Sequence, residues 1–315
     1  SRGGPAQTDP GSSRHTQHNS KIRRMPQRSG CDAEKANDDM YTLSNSQLTL
    51  HILDPVDDES RLGTRYVSGC YVYQVTDAVH GDLLAGPVFP QEHPPVYHGQ
   101  GMPEAFRNAL GEEEGVRLIL GNSLVSADPD PEQMNTSRVH ERCEWSVAQT
   151  PSQLQMVTQQ SLGDWSATVE RRVVLNERGI LSETRVTNQG TVPLPLVWYA
   201  HPFFPWPQDD ICCSFSFDSS IVSNPGFGVS PSGQILRKPA HDWEKGQFVQ
   251  VEGCEERELR AQYFHPVTGQ VVVQSDFQLS QMPIWGNACT VSFEPYMERE
   301  LATGVTFSWS LVYTF

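Results

Sequence analysis

The sequence predicts an all-β fold: a large antiparallel sandwich with few short helices. Three observations lead there. Short apolar runs alternate every second residue, turn-forming clusters separate them, and no extended 3.6-residue apolar period occurs.

The stretch 69–76 sets Tyr71, Tyr73 and Val75 on one face and Cys70, Val72 and Gln74 on the other, which is strand spacing. Comparable runs fall at 117–120, 144–148, 154–158, 167–175, 180–187 and 194–200. They recur at 212–217, 248–251, 259–264, 270–274, 290–293 and 304–314. Turn signals such as Asn-Glu-Arg-Gly at 176–179 and Val-Thr-Gly at 267–269 lie between them. The 23 Pro and 24 Gly among 315 residues suit a turn-rich chain. The best helix candidate is short, at 102–110. Runs of this kind stack as antiparallel sheets.

Residues 1–40 are rich in Ser, Gly, Arg, Gln and Asp and show no apolar period. They are expected to form a disordered basic tail, with 41–315 as one β-sandwich domain. Six basic side chains against Asp9 give residues 1–30 a net charge of +5, within a chain of net charge -15. So acidic a body argues against nucleic acid and anionic membrane as partners. The expected partner is a small molecule; the oligomeric state is not legible. No run is long and apolar enough to span a bilayer. The seven cysteines are odd in number, contain no CxxC pair, and fit free thiols in a reducing, intracellular compartment. The cytoplasm is expected. The Arg- and Ser-bearing, acid-poor start also resembles the remnant of an organelle transit peptide, which would place the chain in a plastid.

GxGxxG after a strand, a P-loop, GxSxG and HExxH are all missing, and the ten His show no metal-ligand spacing. What remains is polar residues at strand ends among aromatic rings. In Trp198-Tyr-Ala-His-Pro-Phe-Phe-Pro-Trp-Pro207 a histidine, His201, ends an apolar strand and enters a proline-fixed turn. Aromatic faces pack on sugar rings, and a His beside them can move a proton near neutral pH. In Thr290-Val-Ser-Phe-Glu-Pro-Tyr296, Glu294 ends another strand, where partial burial would raise its pKa and suit a general base. Each residue also admits a plain structural role.

The block 183–204, with Thr-Asn-Gln-Gly, then Pro-Leu-Pro, then His-Pro-Phe-Phe, resembles the central stretch of aldose-1-epimerase (galactose mutarotase-like) proteins. Phe293-Glu-Pro-Tyr296 resembles that family's Glu-Pro strand, and the run ending at Phe315 its closing strand. The resemblance covers roughly residues 60–315 and implies a large antiparallel supersandwich. It implies Glu294 as the base that takes the anomeric proton and His201 as the acid that protonates the ring oxygen. It implies no cofactor and no metal. The pair would face one pocket from opposite sides of a pyranose-sized space.

Further candidates for substrate binding are Arg65, Glu104, His140, Asp242 and Trp285. Arg65 could clamp a hydroxyl or phosphate, and Trp285 could stack on a ring. His140 stands where the resemblance places an earlier histidine, followed here by Glu141 instead of Gly. Asp242 is preferred to Asp276 for the family's hydroxyl-binding Asp. Glu104 lies in a Glu-Ala-Phe element similar to that of a divergent branch. The implied substrate is a sugar or sugar phosphate. The alternatives are a non-catalytic carbohydrate-binding protein on the same scaffold and, third, a lyase or hydrolase using Glu294 with a second carboxylate.

Overall fold

In a computed structural model, which describes residues 40–88, 99–126 and 137–315, ten antiparallel strands form the main sheet. At its centre the strands Gln153–Leu162, Trp165–Asn176, Gly179–Asn188 and Thr306–Thr314 pair in long unbroken registers. Their burial alternates residue by residue, as expected of a sheet with one face on the core. The inward residues of Trp165–Asn176 include Val169, Val173 and Leu175, which join one continuous apolar core.

The expected helix at 102–110 is absent. Its residues form the strand Glu104–Phe106 and the start of the strand Leu110–Glu113. Glu104–Phe106 pairs with Leu194–Ala200, a tertiary contact that overrides local preference. Among the described residues, helical structure is confined to the 3-10 turns Glu59–Arg61 and Trp243–Lys245. No helix there is long and apolar enough to cross a membrane. Six cysteines are described, and all are free. The expected tail at 1–40 lies, apart from Met40, outside the described residues. Residues 35–315 belong to one compact unit.

Two smaller sheets carry His201 and Glu294 between them. One holds Tyr296–Leu301, Leu194–Ala200 and Glu104–Phe106. The other holds Phe204–Pro205, Thr290–Phe293, Pro283–Gly286, Gln247–Glu252 and Ser220–Ile221. Two stretches of chain pass from one sheet to the other. The first leaves Leu194–Ala200, crosses His201-Pro202, and enters Phe204–Pro205. The second leaves Thr290–Phe293, crosses Glu294-Pro295, and enters Tyr296–Leu301. They run antiparallel, with Tyr199 opposite Tyr296 before the break and Phe204 opposite Val291 after it. The two pairings share one register. Continued across the break, it sets His201 opposite Glu294.

The prolines explain the break. Pro202 and Pro295 have no N–H for the ladder and hold the preceding residue extended. The backbone N–H groups of the two preceding residues turn outward. His201 N donates to Pro103 O and Glu294 N to Pro283 O, each at 2.8 Å. The ladder is open between the Tyr199–Tyr296 and Phe204–Val291 pairs, and within that gap the His201 and Glu294 side chains are left facing each other.

Candidate active site

Strand alternation places a set of side chains on one face. Tyr199, His201 and Phe203 come from one crossing stretch, and Ser292, Glu294 and Tyr296 from the other. Trp285 joins them, because it lies opposite Ser292. Ala105 lies opposite Tyr199 and closes the other side.

His201 Nε2 and Glu294 Oε1 are 3.3 Å apart. His201 Nδ1 lies 2.8 Å from Ser292 Oγ, a diagonal neighbour on the paired strand. If the serine hydroxyl donates to Nδ1, the imidazole proton sits on Nε2, toward the carboxylate. Phe203 stacks on the imidazole with centroids 4.1 Å apart, and Trp285 meets it edge-on at 6.1 Å. Phe203 is seated against Gly99, where φ is +98° and any Cβ would overlap the phenyl ring.

The pair is deeply placed: His201 is 3% exposed and Glu294 4%. Burial pushes the Glu294 carboxyl up to about 7, although Arg65 and Arg107 pull it down. Burial, aided by Arg65, pushes the His201 imidazole well below its ordinary range. Near neutral pH the site therefore holds a neutral imidazole against a carboxyl close to half ionised. A proton shared by the pair therefore rests on the carboxyl.

The structure brings Arg65 and Trp285 to this pair. Arg65 Nε donates to Tyr199 Oη at 3.1 Å, and its guanidinium lies 5.0 Å from the Tyr66 ring centroid. The expected ring-sized gap between His201 and Glu294 is absent; the two groups touch. No ring fits between the members of the pair.

Glu104, His140 and Asp242 are not at the site. Glu104 alternates away from Ala105 and enters the core beneath the main sheet. There it pairs with Arg171 and accepts bonds from Ser182 and Thr184. Buried charges need such partners, so this carboxylate is committed to joining two sheets. His140 is exposed on the strand Val139–Arg142, where its Nε2 lies 2.9 Å from Ser126 Oγ. Asp242 is exposed and pairs with Lys245 at 3.1 Å. Asp276 bonds the Ser310 backbone and hydroxyl on the main sheet.

The sequence reading did not nominate Ser292, Tyr66, Tyr199, Tyr296 or Arg107. Tyr199 and Tyr296 stack with centroids 4.6 Å apart and planes 5° apart. Arg107 Nη1 donates to Tyr296 Oη at 3.0 Å. Ser292 and Tyr296 are each two residues from Glu294 along an extended strand, and that spacing was the signal available.

No family model matches the sequence, and no curated protein matches it. Solved structures match the fold. A galactose mutarotase related enzyme from Lactobacillus acidophilus aligns with a TM-score of 0.56 at 12% identity, covering 87% of this chain and 96% of its own. A putative aldose 1-epimerase from Escherichia coli K12 aligns at 0.55 and 15% identity, covering 87% and 98%. An aldose epimerase homologue from C. elegans aligns at 0.51 and 12% identity, covering 87% and 98%. The chain has the galactose mutarotase-like all-β sandwich fold.

Proposed function

We propose that this protein is a carbohydrate isomerase that interconverts hexose anomers by acid–base ring opening, with Glu294 as base and His201 as acid. The observation that carries the reading is the contact of His201 and Glu294 in the gap where two paired stretches of chain both break. The scaffold it sits on supports it.

Ring opening needs a proton removed from the anomeric hydroxyl and a proton delivered to the ring oxygen. Both oxygens are bonded to C1, so they lie close together. A base and an acid in mutual contact match that spacing from the side. Ionised Glu294 takes the hydroxyl proton as the C1–ring-oxygen bond breaks. His201 Nε2–H donates a hydrogen bond to the departing oxygen and stabilises its developing charge, and Ser292 steadies the imidazole from Nδ1. Glu294 hands the proton it took to that oxygen by way of the imidazole it touches, and both groups return to their starting forms. The C1–C2 bond rotates, and the reverse transfers close the ring as either anomer. Burial brings the Glu294 carboxyl to about 7, where it takes and releases a proton readily, and keeps the His201 imidazole uncharged. The sugar reaches the pair from the side where Arg65 and Trp285 remain part exposed, and the indole supplies a stacking face.

Polarimetry or NMR of freshly dissolved α-glucose and α-galactose, and of their phosphorylated forms, tests the reading. Acceleration by the wild-type protein and its loss in Glu294→Gln are expected. The second reading, carbohydrate binding without turnover, is favoured by the near-complete burial of both groups. Sugar binding with unchanged anomerisation across the whole panel selects it and overturns the first.

A further inference from the structure

Beside the His201–Glu294 pair lies a cluster of hydrogen-bond donors with almost nothing to receive them. Tyr199 and Tyr296 stand directly opposite in register and stack, so both rings leave the sheet together. Their hydroxyl oxygens accept from Arg65 at 3.1 Å and from Arg107 at 3.0 Å, which gathers the two guanidinium groups at one end of the stack. Each arginine uses a single N–H in this way. Neither makes an ion pair with a carboxylate among the described residues.

The tyrosines add more donors. Each stacked hydroxyl accepts a bond, and neither donates its own proton to a partner among the described residues. The third, Tyr66, is 3% exposed and its hydroxyl has no partner among the described residues. Its ring lies under Arg65 and edge-on to His201, so that unmet group belongs to the same cluster. An unpaired buried hydroxyl costs free energy, which an acceptor supplied by a ligand would recover.

A neutral sugar hydroxyl both donates and accepts, so it suits a mixed set of partners. Here the protein offers two permanent cations and three phenol protons, against Glu294 as the one carboxylate that acts on both arginines. Anionic oxygens accept only, and a pair of guanidinium groups matches them in charge and geometry. The excess positive charge lies inside a chain of net charge -15, so it is a local feature of this cluster and not of the chain at large.

We infer that this cluster is an anion subsite and that the substrate is a sugar bearing an anionic oxygen group, a phosphate ester or a carboxylate. The sugar half rests on the isomerase reading above; the anion half rests on the donors alone. Arg65 and Arg107 hold the anionic group, Tyr66 and the stacked tyrosines complete its shell, and the ring lies against His201 and Glu294. The anion thereby selects which sugars the pair can reach.

Titration calorimetry on the full chain with glucose 6-phosphate, glucuronate, glucose and inorganic phosphate tests this. Tighter binding of an anionic sugar than of glucose, by about tenfold or more, is expected. Binding should weaken as salt rises. Binding of both anionic sugars assigns the subsite to anionic oxygens in general, and binding of glucose 6-phosphate alone assigns it to the ester. Arg107→Gln, at an exposed position, should weaken the anionic sugar about 10- to 100-fold. Tyr66→Phe should weaken it while leaving the fold intact by circular dichroism. Arg185→Gln, exposed on the main sheet, should leave binding unchanged. Inorganic phosphate binding without any sugar keeps the subsite and removes the sugar reading. Anionic sugar bound but not anomerised keeps the subsite and removes the isomerase reading. Glucose bound or turned over as well as its phosphate overturns the subsite and leaves the isomerase reading standing. No binding by any probe overturns the subsite.

Discussion

Replacing Glu294 with Gln isolates the most perturbed carboxyl in the proposed site and carries a definite sign. Burial raises this group from 4.5 to about 7, against the pull of Arg65 and Arg107. At about 1.4 kcal/mol per pH unit, the gap corresponds to about 3 kcal/mol of folding free energy. The folded carboxyl keeps its proton at pH values where the unfolded chain has released it. Its stabilising contribution is therefore complete below 4.5 and is lost as pH rises through about 7. Glutamine has no proton to lose. The stability of Glu294→Gln relative to wild type should rise with pH across that window, by about 3 kcal/mol in total. His201 slopes the other way, because the unfolded imidazole takes a proton near 6.5 that the buried one refuses. Both proteins carry His201, so its contribution cancels in the difference. Urea denaturation of both proteins at matched pH steps gives the curve. A difference flat across the window would refute the reasoning, since Glu294 would then titrate like a carboxyl in water. In the proposed reaction, anomerisation should climb as pH rises through about 7, as the base form of Glu294 accumulates.

Ser292→Ala removes the hydroxyl that steadies His201 Nδ1. It should cost about 1 kcal/mol of stability, lower turnover more than it alters substrate binding, and shift the imidazole 15N resonances toward the other tautomer. Arg171→Met strands the Glu104 carboxylate in the core. It should destabilise the fold by about 3–5 kcal/mol in urea, and adding Glu104→Gln should recover part of the loss. Asp242→Ala and His140→Ala alter exposed side chains outside the site. Both should stay within about 0.5 kcal/mol of wild type and leave sugar binding by calorimetry unchanged.

Much of the fold was legible because strands announce themselves locally. The alternation in 167–175 and 180–187 identifies strands that the structure extends to Trp165–Asn176 and Gly179–Asn188. The misread segment, 102–110, lacks such alternation, and its pairing with Leu194–Ala200 is a contact that no local window contains. The candidate site divides the same way. His201 and Glu294 were legible because each ends an apolar run and precedes a proline. Glu104, His140 and Asp242 were nominated by residue type and by neighbours in the chain, which say nothing about the face a side chain takes. In Glu104–Phe106, one position of alternation separates Ala105, on the side of the tyrosine stack, from Glu104, bonded to Arg171. A nomination made without the register has even odds of choosing the wrong face.

The two His-Pro and Glu-Pro steps also bear on why chemistry is placed here. In an unbroken antiparallel ladder, cross-strand neighbours have their backbone groups committed to pairing, and their side chains pack on one another. Here each proline removes one ladder donor, and the N–H groups of His201 and Glu294 donate instead to Pro103, just before Glu104–Phe106, and to Pro283, at the start of Pro283–Gly286. Both N–H groups stay bonded, yet the pair gains a gap in the ladder. A buried histidine and carboxyl would be a poor choice for packing alone, since burial opposes the charged form of each. Their presence at the single shared break, with Ser292 bonded behind the imidazole and Arg65 and Arg107 close by, is the arrangement expected where proton transfer, and not cohesion, is what the residues supply.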